Sequence, residues 1–231
     1  MIQALLAWKD QLYDTFVRGG NYKLLLEGLG NTIIITLGAL AIGVVIGTLI
    51  AVAKYFCDDV PSMKWLTRLC DLYVTVIRGI PVVVLLLIFY FLILKSSEGV
   101  IVGIITFGIN SGAYMAELIR SGINAVDAGQ MEAGRSLGLN KLQCMKEIIL
   151  PQAVRYILPA IFNEMIALLK ETAVAGYVAV RDLTRAGNLI RNNTYDAFNP
   201  LIAVAIVYLA MVILLTAILR KLERRLAHDK R

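Results

Sequence analysis

Five stretches of the chain are apolar for about the length that a bilayer crossing needs, and charged residues gather between them. A hydrocarbon core roughly 30 Å thick is crossed by about 20 residues at a helical rise of 1.5 Å. The first stretch, about 31–53, stops at Lys54, and its Gly43 and Gly47 have the four-residue spacing at which helices approach closely. The second, about 73–94, is interrupted by Arg78, Gly79 and Pro81. Proline lacks an amide donor, so a kink or a fresh helix start is predicted there, with the part before it at the interface. Only the short polar turn Lys95 to Glu98 separates it from the third, about 99–119, which makes the two antiparallel neighbours. The fourth, about 151–180, carries Pro159, Asn163, Glu164, Lys170 and Glu171, whereas the fifth, about 200–219, is free of charge. Residues 1–28, with Leu5, Leu6, Trp8, Leu12 and Phe16 at roughly helical spacing among charges, read as an outer interfacial helix. An all-α membrane protein is predicted, a single transmembrane domain over 1–231 with about five spans.

Between the third and fourth spans, 120–150 mixes Asp127, Glu132, Arg135, Lys141, Lys146 and Glu147 with apolar positions, and no crossing fits. Met131 to Leu137 reads as one short helix, Gly138 as a permissive stop, and Lys141 to Ile149 as a second helix ending before Pro151. Such a helix-turn-helix suits docking in the groove of a soluble partner, while spacing alone favours an amphipathic helix resting on lipid headgroups.

Composition agrees with the membrane class: 58% of the 231 residues are hydrophobic and 17% charged, against about 25% charged in soluble domains. The net charge of +6 does not point to nucleic acid, because the basic residues fall between or after apolar segments. Lys54, Lys64, Arg68, Arg120, Arg135, Lys141, Lys146 and the basic C-terminus place those segments in the cytoplasm and the N-terminus outside. Arg181, Arg185 and Arg191 break that rule, and with Asp182 and Asp196 nearby they predict a partly buried outer cap. Cys57, Cys70 and Cys144 lack metal-type spacing and read as free thiols, while His228 alone makes no metal site. The N-terminus lacks a cleavage pattern and is expected to be retained. No HExxH, GxSxG or GxxxxGK[ST] occurs, so the usual catalytic motifs and a nucleotide-cradling loop are lacking and an enzyme is not expected.

Several motifs in one order decide between the readings of the loop. Glu132-Ala133-Gly134, then Gly138, then Ile149-Leu150-Pro151 resembles the EAA loop of ABC importer permeases, with Gly134 where that family usually has a second alanine. Arg78-Gly79-Ile80-Pro81, the run Ala113 to Arg120, Gly129-Gln130, Leu150-Pro151-Gln152-Ala153, Asn163-Glu164 and the run Leu168 to Thr172 are similar to the polar amino acid branch of that family (histidine, glutamine or arginine type), from Leu24 to Arg225. The resemblance implies a coupling helix over Glu132, Ala133, Gly134, Leu137 and Gly138 seated in a cytoplasmic ATPase subunit that binds ATP and Mg²⁺, with no cofactor in this chain. It further implies an extracytoplasmic solute-binding protein and a location in the bacterial inner membrane. Five spans are too few to enclose a path, so a dimer with a second permease subunit, identical or not, is expected, with the small-residue faces of the first and third spans as packing surfaces. The alternative is a stand-alone secondary transporter or channel driven by an ion gradient.

Ionisable groups inside a span cost roughly 2.5–3.5 kcal/mol each and so usually face a cavity or a partner. Glu164 lies about 20 Å along the fourth helix from Pro151, near the bilayer midplane. Asn163, Glu164, Ala167, Lys170 and Glu171 share one helical face. Glu164 is the candidate for a substrate α-ammonium group, Asn163 for carboxylate or side chain, small Ala167 leaves room, and Thr172 and Lys170 extend the site outward. Pairing of Glu164 with Lys170, Glu171, Arg78 or Glu117 is the structural alternative, and it is the stronger reading for Lys170 and Glu171. Arg78, Tyr114 and Glu117, near cytoplasmic span ends, are gate residues or bundle anchors.

Overall fold

The computed structural model describes residues 9–57, 60–95 and 97–228, among which every regular element is helical. A short helix, α1 (residues 9–18), breaks at Gly19–Gly20, where Gly20 takes φ +66°. The long α2 (Tyr22–Cys57) follows, so residues 22–28 belong to the first long helix and not to an interfacial one. The leucines and the glutamate after Tyr22 contain no breaker, and the helix simply begins at the first residue past the glycines. Leu5, Leu6 and Trp8 lie outside the described residues. Next come α3 (Lys64–Gly79), α4 (Val82–Ile88) with a π-helical end (Phe89–Ile93), and α5 (Gly99–Asn124). The intervening loop holds α6 (Ala128–Ser136) and α7 (Lys141–Cys144). The chain ends in α8 (Leu150–Glu171), a 3₁₀ turn (Thr172–Val178), α9 (Leu183–Thr194) and α10 (Phe198–His228).

Three of these helices, α2, α5 and α10, are each long and apolar enough to cross a membrane, and the bent pair α3–α4 makes a fourth if counted as one. The second predicted span is therefore not straight: the chain turns by 103° between Gly79 and Val82. Pro81 sits at the head of α4, where its missing amide costs nothing, and the backbone of Ile80 is extended, as a residue before proline prefers. The fourth predicted span holds as a helix over Leu150–Glu171, but its Gln152, Arg155, Asn163 and Glu164 leave it less apolar than the three long helices, and it tightens into 3₁₀ winding from Thr172.

α5 is the keel of the bundle. On one side it takes α2 at close range, with Gly43 against Ser111 and Gly112, Gly47 against Met115, and Ile42 and Ile46 of α2 over Gly108 and Gly112. The small-residue faces expected to meet a second subunit thus meet each other inside one chain. Ile35 and Ala39 of α2, Leu86 of α4, Val102 and Phe107 of α5, Leu168 of α8 and Val178 close a common core. α10 leaves Ile206, Leu209, Ile213 and Leu214 exposed.

The second helix of the loop does not end before Pro151. α7 passes through a π-helical turn, Met145–Ile149, directly into α8. A proline ring conflicts with the carbonyl four residues back, and the wider winding one turn earlier relieves that conflict without ending the helix.

The charged connection around Arg181 and Asp182 folds as a partly buried cap over the start of α2. Arg181 pairs with Glu27 at 3.3 Å, Asn31 donates to the Arg181 carbonyl at 3.0 Å, and Thr32 accepts from the Leu183 amide at 3.1 Å. Asp182 is fully buried (0% exposed). It caps α9 by accepting from the Thr184 and Arg185 amides. Burial pushes its carboxyl above the usual aspartate range despite those two donors. The folded protein consequently holds this proton more tightly than the unfolded chain does, and stability falls as pH rises from the ordinary aspartate value through the raised one. Asp182→Ala is expected to cost about 1–2 kcal/mol through loss of the cap. Asp182→Asn keeps an acceptor and flattens that pH dependence; thermal unfolding in detergent across pH 4–8 checks both, and equal melting of all three proteins would refute the assignment.

Candidate functional site

The polar residues of α8 and α5 meet across the bundle. Ser111 donates its hydroxyl to Glu164 Oε1 at 3.1 Å, and Asn110 Nδ2 lies 3.5 Å from Glu171 Oε2. Successive residues of one helix therefore hold two carboxylates two turns apart on the other. Among the described residues neither carboxylate is in a salt bridge, so Glu164 is not paired with Lys170, Arg78 or Glu117. Each receives a neutral donor and keeps lone pairs for a cation. Asn163 and Lys170 are exposed along the same face, and Ala167 between them is half-buried.

Arg78 joins this face from α3, its guanidinium 4.9 Å above the Tyr114 ring, near enough for its charge to act on Glu164. The bend at Pro81 delivers it there by laying α3 across α5, where Tyr73 also donates to the Ile109 carbonyl at 2.6 Å. Glu117 does not join them; it pairs with Arg120 one turn further along α5 at 2.8 Å. Thr172 is not on the open face either, being fully buried with its hydroxyl donated to the Leu169 carbonyl at 2.7 Å. Ser111 and Asn110 were the residues missed from sequence. Their signal is a pair of hydrogen-bonding side chains in the middle of an otherwise apolar span.

At the other end, α6 is bounded by chemistry visible in its residues. Asp127 caps its start by accepting from the Gly129 amide at 2.7 Å. Its finish is a Schellman turn: Gly138, at φ +88°, donates to Arg135 O, and Leu139 donates to Gly134 O. Asn140 and Gln143 then form a capping box that starts α7. Gly134 faces inward, where a Cβ would lie 2.8 Å from Cys144 Sγ and 2.9 Å from Ile148 Cδ1. Glu132, Ala133 and Leu137 face outward, Leu137 with 84% of its surface exposed. An apolar side chain so exposed on a short helix in a charged loop is available to a partner.

The model of a family described as binding-protein-dependent transport system inner membrane component matches residues 43–228. The chain belongs to that family. Among its relatives are the putative glutamine transport system permease protein of Rickettsia bellii, 38% identical over 87% of this chain and 92% of that protein, and the arginine transport system permease protein of Bacillus subtilis, 35% identical with the same coverage. Of solved structures, an amino acid ABC transporter described as crystallised with histidines is 38% identical, with a TM-score of 0.82 over 91% of this chain and 98% of that one. An inward-facing methionine ABC transporter shares the fold at 23% identity and a TM-score of 0.77, covering 88% of this chain and 96% of that one. This member is thus the permease subunit of an ABC transporter, with hydrolysis in a separate subunit, and not a stand-alone carrier or channel.

Proposed function

We propose that this permease imports polar L-amino acids across the bacterial inner membrane by alternating access, with Glu164 receiving the α-ammonium group. The observation that carries this is the half-buried Glu164 carboxylate, whose hydrogen-bond partner among the described residues is Ser111 and which lies beside an exposed Asn163. A half-buried carboxylate without a cation is costly unless a transient one visits it. Relatives named for glutamine and arginine transport fit a site that reads the backbone of an amino acid. Five crossings, the N-terminus outside and the C-terminus in the cytoplasm, follow from the basic residues flanking the helices. A cytoplasmic ATPase holding ATP and Mg²⁺ docks on Glu132, Ala133 and Leu137, a second permease subunit completes the path, and an extracytoplasmic binding protein delivers substrate.

Glu164→Gln removes the charge while preserving the shape and the Ser111 contact. Loss of one charge-assisted hydrogen bond is expected to lower ATP-driven uptake into proteoliposomes at least about tenfold, with ATPase co-purification unchanged. Unaltered uptake kinetics would remove Glu164 from the site. Uptake of labelled glutamine and arginine, each competed by the twenty amino acids with the binding protein present, identifies the substrate.

A further inference from the structure

A cavity of about 570 Å³ opens between the 3₁₀ turn and α9, a size in the range of small-molecule sites. Ala173, Gly176 and Tyr177 of the turn line one side, and Thr184, Arg185 and Asn188, on one face of α9, line the other. The turn supplies the room, since alanine and glycine have little or no side chain, and α9 supplies the polar groups. A Cβ on Gly176 would lie 3.3 Å from Arg185 Cβ and 3.5 Å from its Cδ, so the stem of Arg185 rests against the glycine. Arg185 is one of the three arginines that run against the placement of basic residues at the cytoplasmic face. The other two are accounted for: Arg181 pairs with Glu27, and Arg191 donates to the Asn192 side chain at 3.4 Å. Among the described residues the Arg185 guanidinium makes no hydrogen bond or ion pair, and neither does the Asn188 carboxamide. No acid lines the cavity, and Asp182, buried behind the turn, has its oxygens committed to the Thr184 and Arg185 amides. A free guanidinium beside a free carboxamide is a site for an anion with planar acceptors.

We propose that this cavity is an outer subsite for the α-carboxylate of the transported amino acid, with Arg185 binding it and Asn188 beside it. The inference rests on the import reading above, in which the 3₁₀ turn and α9 lie on the outer face. The guanidinium presents paired N–H donors that match a carboxylate, and the carboxamide adds a further donor. Because the 3₁₀ turn continues α8 directly from Thr172, the cavity lies just past Glu171, at the outer end of the helix that carries Glu164. An amino acid arriving from outside is met first by its carboxylate and, deeper in, by its ammonium group. A subsite that reads the carboxylate leaves the side chain unread, so it serves any amino acid that the transporter accepts.

Equilibrium dialysis of labelled glutamine and labelled arginine against the purified permease–ATPase complex, without binding protein, tests this. Each label is competed by the same amino acid and by its α-amide, which keeps the ammonium group and lacks the carboxylate, at about pH 6, where that ammonium group is still charged. The wild-type complex is expected to prefer the free acid about fivefold, the factor for one exposed guanidinium–carboxylate pair. Arg185→Gln should abolish that preference, and Arg185→Lys should keep part of it. Arg191, on the same helix and outside the cavity, serves as control, and Arg191→Gln should change nothing. Glu164→Gln should weaken both competitors alike and leave their ratio intact, so failure of the ammonium site and failure of this one read differently. A preference that persists in Arg185→Gln, a loss as large in Arg191→Gln, or no preference in the wild type overturns the proposal. So does the absence of binding of either label by the wild-type complex at millimolar concentration. Retention of the binding protein on the immobilised complex is measured alongside. If Arg185→Gln releases the binding protein while the preference stays, Arg185 serves a carboxylate of that protein's surface and the substrate subsite falls.

Discussion

Ala133→Glu is expected to reduce uptake to background and to prevent co-purification of the ATPase. Ala133 and Leu137 are one turn apart on the exposed side of α6, and the helix beneath them is fixed by Gly134 against Cys144, by the Asp127 cap and by the Schellman turn at Gly138. A charged side chain added there meets only solvent in the isolated subunit, so the permease should still fold and elute at its normal size. In the assembled transporter the same carboxylate would be buried against the partner without a counter-charge, which costs several kcal/mol. Normal ATPase co-purification from Ala133→Glu would show that α6 is not the docking helix. Gly134→Ala restores the residue usual in the family and separates the two sides of α6: any loss it causes should track loop stability, through Cys144 and Ile148, and not ATPase affinity.

Gly47→Leu should be the most damaging change to the fold. A Cβ there would lie 2.3 Å from Met115 Cβ and 2.8 Å from the Ala116 amide, so main chain as well as side chain obstructs it. Separating α2 from α5 also opens the Gly43, Gly108 and Gly112 contacts along the same seam. A loss of about 3 kcal/mol or more is expected, read as a lowered melting temperature and poor recovery by fluorescence-detected size exclusion. Gly30, with nothing within 4 Å of its Cβ direction, is the control, and Gly30→Ala should be neutral or stabilising. Equal melting of the two variants would refute the close-packed seam.

What could be read from sequence follows from how far each signal acts. The long apolar runs of α2, α5 and α10 are properties of composition over a whole helix, and they were legible with only their ends extended. Pro81 announced a break but not its 103° angle, which depends on α3 lying across α5 through Tyr73 and Arg78. Pro151 misled, because a local rule for proline cannot foresee the π-helical turn that accommodates it. Glu164 stood out as a charge in an apolar run, whereas its partner Ser111 is a small residue 53 positions away and is identified only by contact. Gly134 looked like a minor departure from the family pattern, and its reason, the sulfur of Cys144 beneath it, is likewise tertiary.

The uninterrupted winding from Lys141 to Glu171 has a mechanical consequence. On the proposed function, α7 follows the docking helix α6 after the turn at Gly138 and is wound without a break into the helix that carries Glu164, so a twist passed from α6 into α7 would reorient Glu164 unless something along the way yields. The π-helical turn at Met145–Ile149 is the irregular step in that winding, and a wider turn inside an α-helix is where such a twist would be taken up. On that reading the stiffness of those five residues would set how much of a movement begun at the ATPase reaches Glu164.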